Sequence, residues 1–220
     1  MNNKKLLCAA SFIALTFSTN ALANDKDWYV SAQGGFVMTQ EHDFNYAAGN
    51  KIDTDLDSGY AFGINAGYDH GLVANNIGLR TELEYTYRNN EVDTHQLNGG
   101  SPLAGATGEV SSNAFMANAI AYVETNTPIK PYAGAGIGFA MVEYEGYGVS
   151  AIPAVLDDDD TVFAYQGILG AEYEISDDVS LTGDYRYFKT TDPDLTSAVN
   201  FSTSTEYENH NFIFGVRYKF

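Results

Sequence analysis

Apolar and polar side chains alternate with a period of two along most of the chain, and eight stretches carry the pattern. The first, about 27–38, sets Trp28, Val30, Ala32, Gly34, Phe36 and Met38 against Ser31 and Gln33. The second, about 58–68, sets Tyr60, Phe62, Ile64, Ala66 and Tyr68 against Gly63, Asn65 and Gly67. In the third, about 76–88, Ile77, Leu79, Leu83, Tyr85 and Tyr87 share one face, while Arg80, Glu82, Glu84 and Arg88 share the other. The fourth, about 111–124, is alanine-rich; Phe115, Ala117, Ala119, Ala121 and Val123 are expected outside, with Asn118 and Glu124 inside. The fifth, about 131–142, stacks Gly134, Gly136 and Gly138 opposite Ala135, Ile137, Phe139 and Met141. The sixth, about 162–174, opposes Phe163, Tyr165, Leu169, Ala171 and Tyr173 to Gln166, Glu172 and Glu174. The seventh, about 179–188, opposes Val179, Leu181, Tyr185 and Tyr187 to Thr182, Asp184 and Arg186. The eighth ends the chain, with Phe212, Phe214, Val216, Tyr218 and Phe220 facing away from Asn211, Gly215, Arg217 and Lys219. Only Ile213 breaks that polarity.

The linkers alternate as well. Segments 39–57, 89–110, 143–161 and 189–206 are long and polar, and 69–75, 125–130 and 176–178 are short. Strict rotation of long and short connections predicts an all-β fold: an eight-stranded antiparallel up-and-down transmembrane barrel, with short periplasmic turns and long external loops. A soluble lipocalin-type barrel also alternates, but it turns its apolar face inward. An eight-stranded interior holds little more than packed side chains, so the bulky aromatic faces fit better outside. On this placement Tyr60, Tyr85, Tyr87, Phe163, Tyr165, Tyr185 and Tyr187 form an outer aromatic girdle. Trp28, Tyr68, Tyr173, Tyr218 and Phe220 form a periplasmic one, with the N-terminus also periplasmic.

The start of the chain fits that destination. Lys4 and Lys5 precede an apolar run from Leu6 to Phe17, and Ala21-Leu22-Ala23 is a small-x-small cleavage site. Residues 1–23 therefore read as a signal peptide, with 24–220 as the barrel domain. The apolar run is too short for a spanning helix, which needs roughly 20 residues. Cys8, the sole cysteine, lies within the signal, so no disulfide scaffold is expected. Removing the two signal lysines takes the formal charge from −18 to −20, which excludes nucleic acid as a partner. Sixteen Tyr and thirteen Phe beside one Trp suit a membrane interface, where a ring has an apolar body and a wet tip.

Three segments carry a family resemblance. The terminal Tyr218-Lys219-Phe220, with aromatics at alternate positions before it, is similar to the last strand of bacterial outer-membrane barrels. Pro131-Tyr132-Ala133-Gly134-Ala135-Gly136-Ile137-Gly138 and Asp184-Tyr185-Arg186-Tyr187-Phe188 resemble the fifth and seventh strands of the same family. The chain thus resembles the small outer-membrane β-barrels, a group that includes opacity-type surface proteins and the barrel portion of OmpA. The resemblance implies a place in the outer membrane among lipid and lipopolysaccharide. It also implies that the barrel-assembly machinery reads Phe214, Val216, Tyr218 and Phe220. It stops at the barrel, so peptidoglycan anchoring is not expected.

Candidate chemistry is sparse. Arg80, Glu82, Glu84, Glu172, Glu174, Asp184, Arg186, Arg217 and Lys219 are expected in the lumen, where isolated charges are costly and must pair. They form either a narrow ion gate or a plug, and the plug is favoured because so small an interior is normally filled. Asp157-Asp158-Asp159-Asp160 lacks the spacing of a calcium loop and reads as a solvated acidic loop. His42, His70, His95 and His210 have no metal-ligand spacing. His210 with Ser202 or Ser204 and Glu206 or Glu208 is the one grouping that a lipid-modifying enzyme would use, and an ordinary polar rim is the simpler reading. No cofactor or metal is expected. The loops also carry Phe44, Tyr46, Leu97, Leu103, Ile152, Val155 and Leu156, apolar residues available for contact with a host or surface ligand. The expectation is a monomeric, non-enzymatic surface barrel that supports envelope integrity or adhesion; a small-solute pore and a lipid-modifying enzyme are the alternatives.

Overall fold

The computed structural model describes residues 27–39, 42–45, 51–97, 100–149, 152–192, 195–196, 202–203 and 207–220. The expected signal peptide, Tyr46, Ser204 and Glu206 lie outside these residues, as do the side chains of His42, Phe44, Leu97, Ile152, Val155, Leu156, Asp157 and Ser202. The elements are β1 (Trp28–Thr39), β2 (His42–Asn45), β3 (Lys51–Leu56), β4 (Gly59–Ala74), β5 (Ile77–Leu97) and β6 (Thr107–Val123). They continue with β7 (Ile129–Val149), β8 (Ile152–Glu174), β9 (Val179–Thr190), β10 (Leu195–Thr196), β11 (Ser202–Thr203) and β12 (Glu208–Lys219). Eight of these, β1, β4 to β9 and β12, are each hydrogen-bonded to both neighbours, and the β5–β6 pairing closes the ring. The seam joins the first strand to the last, from Tyr29↔Lys219 to Thr39↔Asn209. All pairs are antiparallel, as the period-two pattern predicts.

Tight turns set one end of the barrel. Asn75 and Asn76 alone join β4 to β5, and Asn75 adopts a φ of 46°, a left-handed conformation that asparagine tolerates well. The β6–β7 turn is held by Thr125, whose hydroxyl accepts from the Thr127 amide at 3.2 Å. In the β8–β9 turn the Val179 amide donates to the Ser176 hydroxyl at 3.1 Å.

The opposite end departs from expectation. Segments 89–110 and 143–161, read from sequence as loops, are largely strand: β5 and β7 run 21 residues each and β8 runs 23. Beyond the ring, β3 takes over from β4 as the partner of β5, pairing Thr54 with His95 and Leu56 with Val92. Asn90 fastens this handover, donating to Asp57 O at 3.0 Å and Val37 O at 3.4 Å. The acidic run belongs to β8, where Asp158, Asp159 and Asp160 pair in register with Tyr144, Glu143 and Val142. Its residues therefore alternate between faces instead of crowding one loop. Their alternation was hidden in the sequence because four identical residues have no period.

Burial follows the predicted faces. Leu83 is 71 % exposed and Phe36 65 %, whereas their strand neighbours Glu84 and Val37 are buried. Outward positions of the fourth stretch are as expected, including Phe115, Ala117 and Ala119. Glycines make room inside: a Cβ on Gly67 would lie 2.3 Å from the Tyr29 ring, and one on Gly136 would lie 2.0 Å from Asn118 Oδ1. The interior is not uniformly polar, which corrects the sequence reading. Val110, Ala114, Met116, Val142, Tyr144, Val162, Phe188 and Tyr207 form a buried apolar cluster toward the long end. A second cluster, Ile120, Tyr122, Tyr132 and Ile168, lies nearer the turns.

Two outcomes follow from this arrangement. Leu83→Arg, which sets a cation on the exposed apolar belt at mid-strand, is expected to cost on the order of 2–4 kcal/mol, the penalty at a bilayer midplane; reversible folding into lipid vesicles measures it. In the extension, His95 bridges three strands: Nε2 donates to Thr107 O at 3.3 Å and Nδ1 accepts from Thr54 Oγ1 at 2.9 Å. Burial lowers the His95 pKa, and the Thr107 hydrogen bond only partly opposes that. A folded value below the unfolded one of about 6.5 means that the unfolded form binds the proton more readily, so stability falls as pH drops below that value. Amide exchange at residues 94–96, corrected for intrinsic rate, is expected to speed up between neutral pH and about pH 5 in the native chain but not in His95→Gln.

Candidate functional site

The inward faces of β4, β5, β8, β9 and β12 bring the predicted charges together. Toward the turns, Glu172 lies between two arginines, with Oε2 2.5 Å from Arg80 Nη1 and 2.6 Å from Arg217 Nη1. Arg217 Nη2 reaches Glu82 Oε1 at 3.1 Å, and the Tyr29 hydroxyl donates to the same oxygen at 2.7 Å. Arg80 Nε pairs with Asp69 at 3.0 Å, and Tyr122 donates to the other oxygen of that carboxylate at 2.9 Å. Both guanidinium groups are covered by rings: Arg80 over Tyr122 at 4.2 Å, Arg217 over Tyr29 at 4.4 Å.

Arg186 centres the next level. Its Nη1 meets Glu84 Oε2 and its Nε meets Asp184 Oδ1, each at 2.5 Å, while Nη2 donates to Gln33 Oε1 at 3.0 Å. Asn118 and Thr86 donate to Glu84 at 3.1 and 2.9 Å, and Tyr132 donates to Asp184 at 2.8 Å. Gln166 donates to Asn118 at 2.8 Å and ties β8 into the same group. Further toward the long end, Arg88 donates to Asn211 Oδ1 at 3.2 Å and stacks on Phe188 at 4.0 Å. The carboxylates of Asp69, Glu82, Glu84, Glu172 and Asp184 thus face the guanidiniums of Arg80, Arg88, Arg186 and Arg217, so charge inside the barrel nearly cancels.

Seven of the nine charges expected in the lumen are buried in this network. Glu174 and Lys219 are not: both are half-buried at the turn end, and Glu174 pairs with Lys130 at 2.7 Å. They lie at strand ends, where the inward face already opens to solvent. The sequence reading left out Asp69 and the inward tyrosines Tyr29, Tyr122 and Tyr132; Arg88, set on the polar face of the third stretch but not counted among the lumen charges, is buried as well. Parity was the available signal, since each tyrosine alternates with an outward residue of its own strand.

This arrangement fills space. At the level of Arg186 and Arg217 the network lines a void of about 10 Å³, room for about one water. Above it, the apolar cluster around Met116 and Phe188 occupies the lumen. Every network carboxylate is held by a fixed cation or hydroxyl, which leaves none poised as a base for a substrate. Of the His210 grouping only His210 and Glu208 have described side chains, since Ser204, Glu206 and the side chain of Ser202 lie outside the described residues. His210 Nδ1 is 2.5 Å from the Tyr185 hydroxyl, and Glu208 pairs with Lys189 at 3.2 Å. Among the described residues no group of His, Cys, Asp and Glu is placed to hold a metal ion.

The expected girdle residues face outward. Trp28 and Tyr68 meet edge-on at 5.0 Å, and Tyr218 stacks with Phe220 at 6.4 Å at the turn end. Tyr60 and Tyr87 lie 6.4 Å apart toward the long end. There, Tyr85 turns its hydroxyl to Asn113 at 2.7 Å.

Removing one partner from the Arg186 centre tests the network. Glu84→Gln leaves Arg186 with a single buried carboxylate and is expected to cost about 3 kcal/mol, the low end for breaking a buried pair. Equilibrium folding in detergent micelles measures it. Adding Arg186→Met to Glu84→Gln is expected to cost less than the two changes summed.

Comparison with known proteins places this geometry. The family profile described as outer membrane protein beta-barrel domain matches residues 8–220. An uncharacterized protein of Brucella abortus strain 2308 is 29 % identical over 64 % of this chain and 55 % of its own length. The chain thus spans about half the length of the curated relatives it matches. Among solved structures, Neisserial surface protein A is similar at a TM-score of 0.54 and 22 % identity, covering 88 % of this chain and 97 % of its own. Outer membrane protein OprG from Pseudomonas aeruginosa is similar at 0.53 and 15 % identity, covering 91 % and 99 %. At these identities the structural likeness concerns the fold.

Proposed function

The chain belongs to the outer membrane protein beta-barrel family, and on that premise we propose that it is a closed, non-enzymatic surface barrel of the outer membrane. Its work is done by the strand extensions and loops at the long end, in envelope integrity or in contact with a surface ligand. The observation that carries this reading is the filled lumen. A paired charge network lines a void of about 10 Å³, and an apolar cluster stands between it and the long end. A conducting path would have to break several buried ion pairs at once.

The orientation belongs to the same proposal. The turns and both chain ends face the periplasm, and the extensions of β5, β7 and β8 face outward. Residues 1–23 act as a signal peptide cleaved before Asn24. Phe214, Val216, Tyr218 and Phe220, which alternate along the exposed face of the closing strand, serve as the signal read by the assembly machinery. Tyr60, Tyr85, Tyr87, Phe163, Tyr165, Tyr185 and Tyr187 sit at the outer interface, with Trp28, Tyr68, Tyr173, Tyr218 and Phe220 at the inner one. An adhesive role is supported by the continuation of β5, β7 and β8 as paired sheet at the long end, since segments carried on a paired scaffold are usual places for recognition.

Planar-bilayer recording of the purified full chain tests the closed lumen. Stable, reproducible single-channel steps would assign it to the small-solute pores instead; the expected trace is flat apart from rare, irregular events.

A further inference from the structure

We propose that a groove on the lipid-facing wall of β4 to β7 holds a single glycerophospholipid, with an acyl chain along its floor and the glycerol and headgroup at its turn end. The groove has a volume of about 620 Å³. Two rows of paired residues build it. One row runs Tyr68↔Thr81, Thr81↔Ala119 and Ala119↔Ala135; the next runs Ala66↔Leu83, Leu83↔Ala117 and Ala117↔Ile137. Leu83 and Ile137 stand out at 71 % and 60 % exposure, so Ala117 between them is a notch with walls on both sides.

The chemistry of the groove changes along its length. Away from the turn end its outward side chains, Ala66, Leu83, Ala117 and Ile137, are all apolar. Its turn end carries hydrogen-bonding groups on the outward face, with His70 Nε2 3.1 Å from Thr81 Oγ1. The Tyr68 ring meets Trp28 and His70 edge-on at 5.0 Å each, and its hydroxyl donates to Asp27 at 3.1 Å. This is an interfacial platform, wet at one edge and apolar at the other. A ligand that matches must be polar at one end and long-chain apolar at the other, and the surrounding membrane supplies that chemistry as glycerophospholipid. A second copy of the barrel fits less well. A two-fold interface sets the same patch against itself, and notch against notch leaves a void. Because a chain moving from bilayer to groove leaves no water behind, retention rests on packing in the notch and on the polar contacts at His70 and Thr81.

The test uses the full chain reconstituted in vesicles of phosphatidylethanolamine and phosphatidylglycerol, extracted in mild detergent and weighed by native mass spectrometry. The native barrel is expected to retain one phospholipid. Filling the notch from outside with Ala117→Phe and Ala119→Leu is expected to abolish retention. Leu181→Phe, outward on β9, which lines no part of the groove, is expected to leave it unchanged. Thr81→Val, nearly isosteric, is expected to lower retention several-fold, and it carries the test if the filled variant fails the heat-modifiability check for folding. No retained phospholipid, retention indifferent to filling, a bound fatty acid only, or a dimer in place of a lipid adduct would each overturn the proposal.

Discussion

Inside hydrocarbon no water is available to satisfy a peptide group, so every strand must be paired on both sides. That constraint explains why the seam between β1 and β12 is as regular as any other pairing, with Tyr29 to Thr39 matched to Lys219 to Asn209. Closure fixes the rest. Once the ring is complete, each residue faces either lipid or a lumen only a few side chains wide. A one-residue slip in any strand would exchange the two sets. Glu82 and Glu84 would then meet hydrocarbon, and Leu83 would enter the charge network.

The lumen answers a second constraint. Buried charges are tolerated only when paired and hydrogen-bonded, and here the partners come from strands far apart in sequence. Arg186 of β9 gathers Glu84 of β5 and Gln33 of β1; Arg217 of β12 gathers Glu82 of β5 and Glu172 of β8. Tyrosines act as donors at the edges of this network while their rings pack under the guanidinium groups. Such an interior locks strand register across the barrel. It also separates the roles of the two surfaces, because a packed lumen leaves the extensions and the lipid-facing wall as the places where other molecules can meet the protein.

Much of this architecture was legible in the sequence, because period two is a direct record of inside and outside. Strands beginning near Trp28, Ile77 and Val179 were placed within a residue or two, and even the alanine-rich stretch around Ala117 had the right faces. Strand length was less legible. Segment 89–97 is polar at most positions of both faces, and in 143–149 Gly146 and Gly148 break up the alternation of Glu143, Tyr144 and Glu145, so both read as loops although they pair as sheet; once beyond the membrane, neither face must be apolar. Composition misled in two places. Tyr29, Tyr122 and Tyr132 turn inward because an arginine and a carboxylate await them, and Met116 and Ile120 turn inward because part of the lumen is apolar. The pairing of particular charges, such as Arg80 with both Asp69 and Glu172, had no signature in a single chain, since it depends on how the barrel closes.

The account rests on the outward aromatic faces touching lipid, and the single Trp of the chain reports on this directly. Trp28 lies on the outward face near the turn end, 48 % exposed. Its fluorescence in vesicles of brominated phospholipids should be strongly quenched, most by bromines placed high on the acyl chain, and should be shielded from a water-soluble quencher. Equal quenching by the aqueous agent, with no response to brominated lipid, would contradict it.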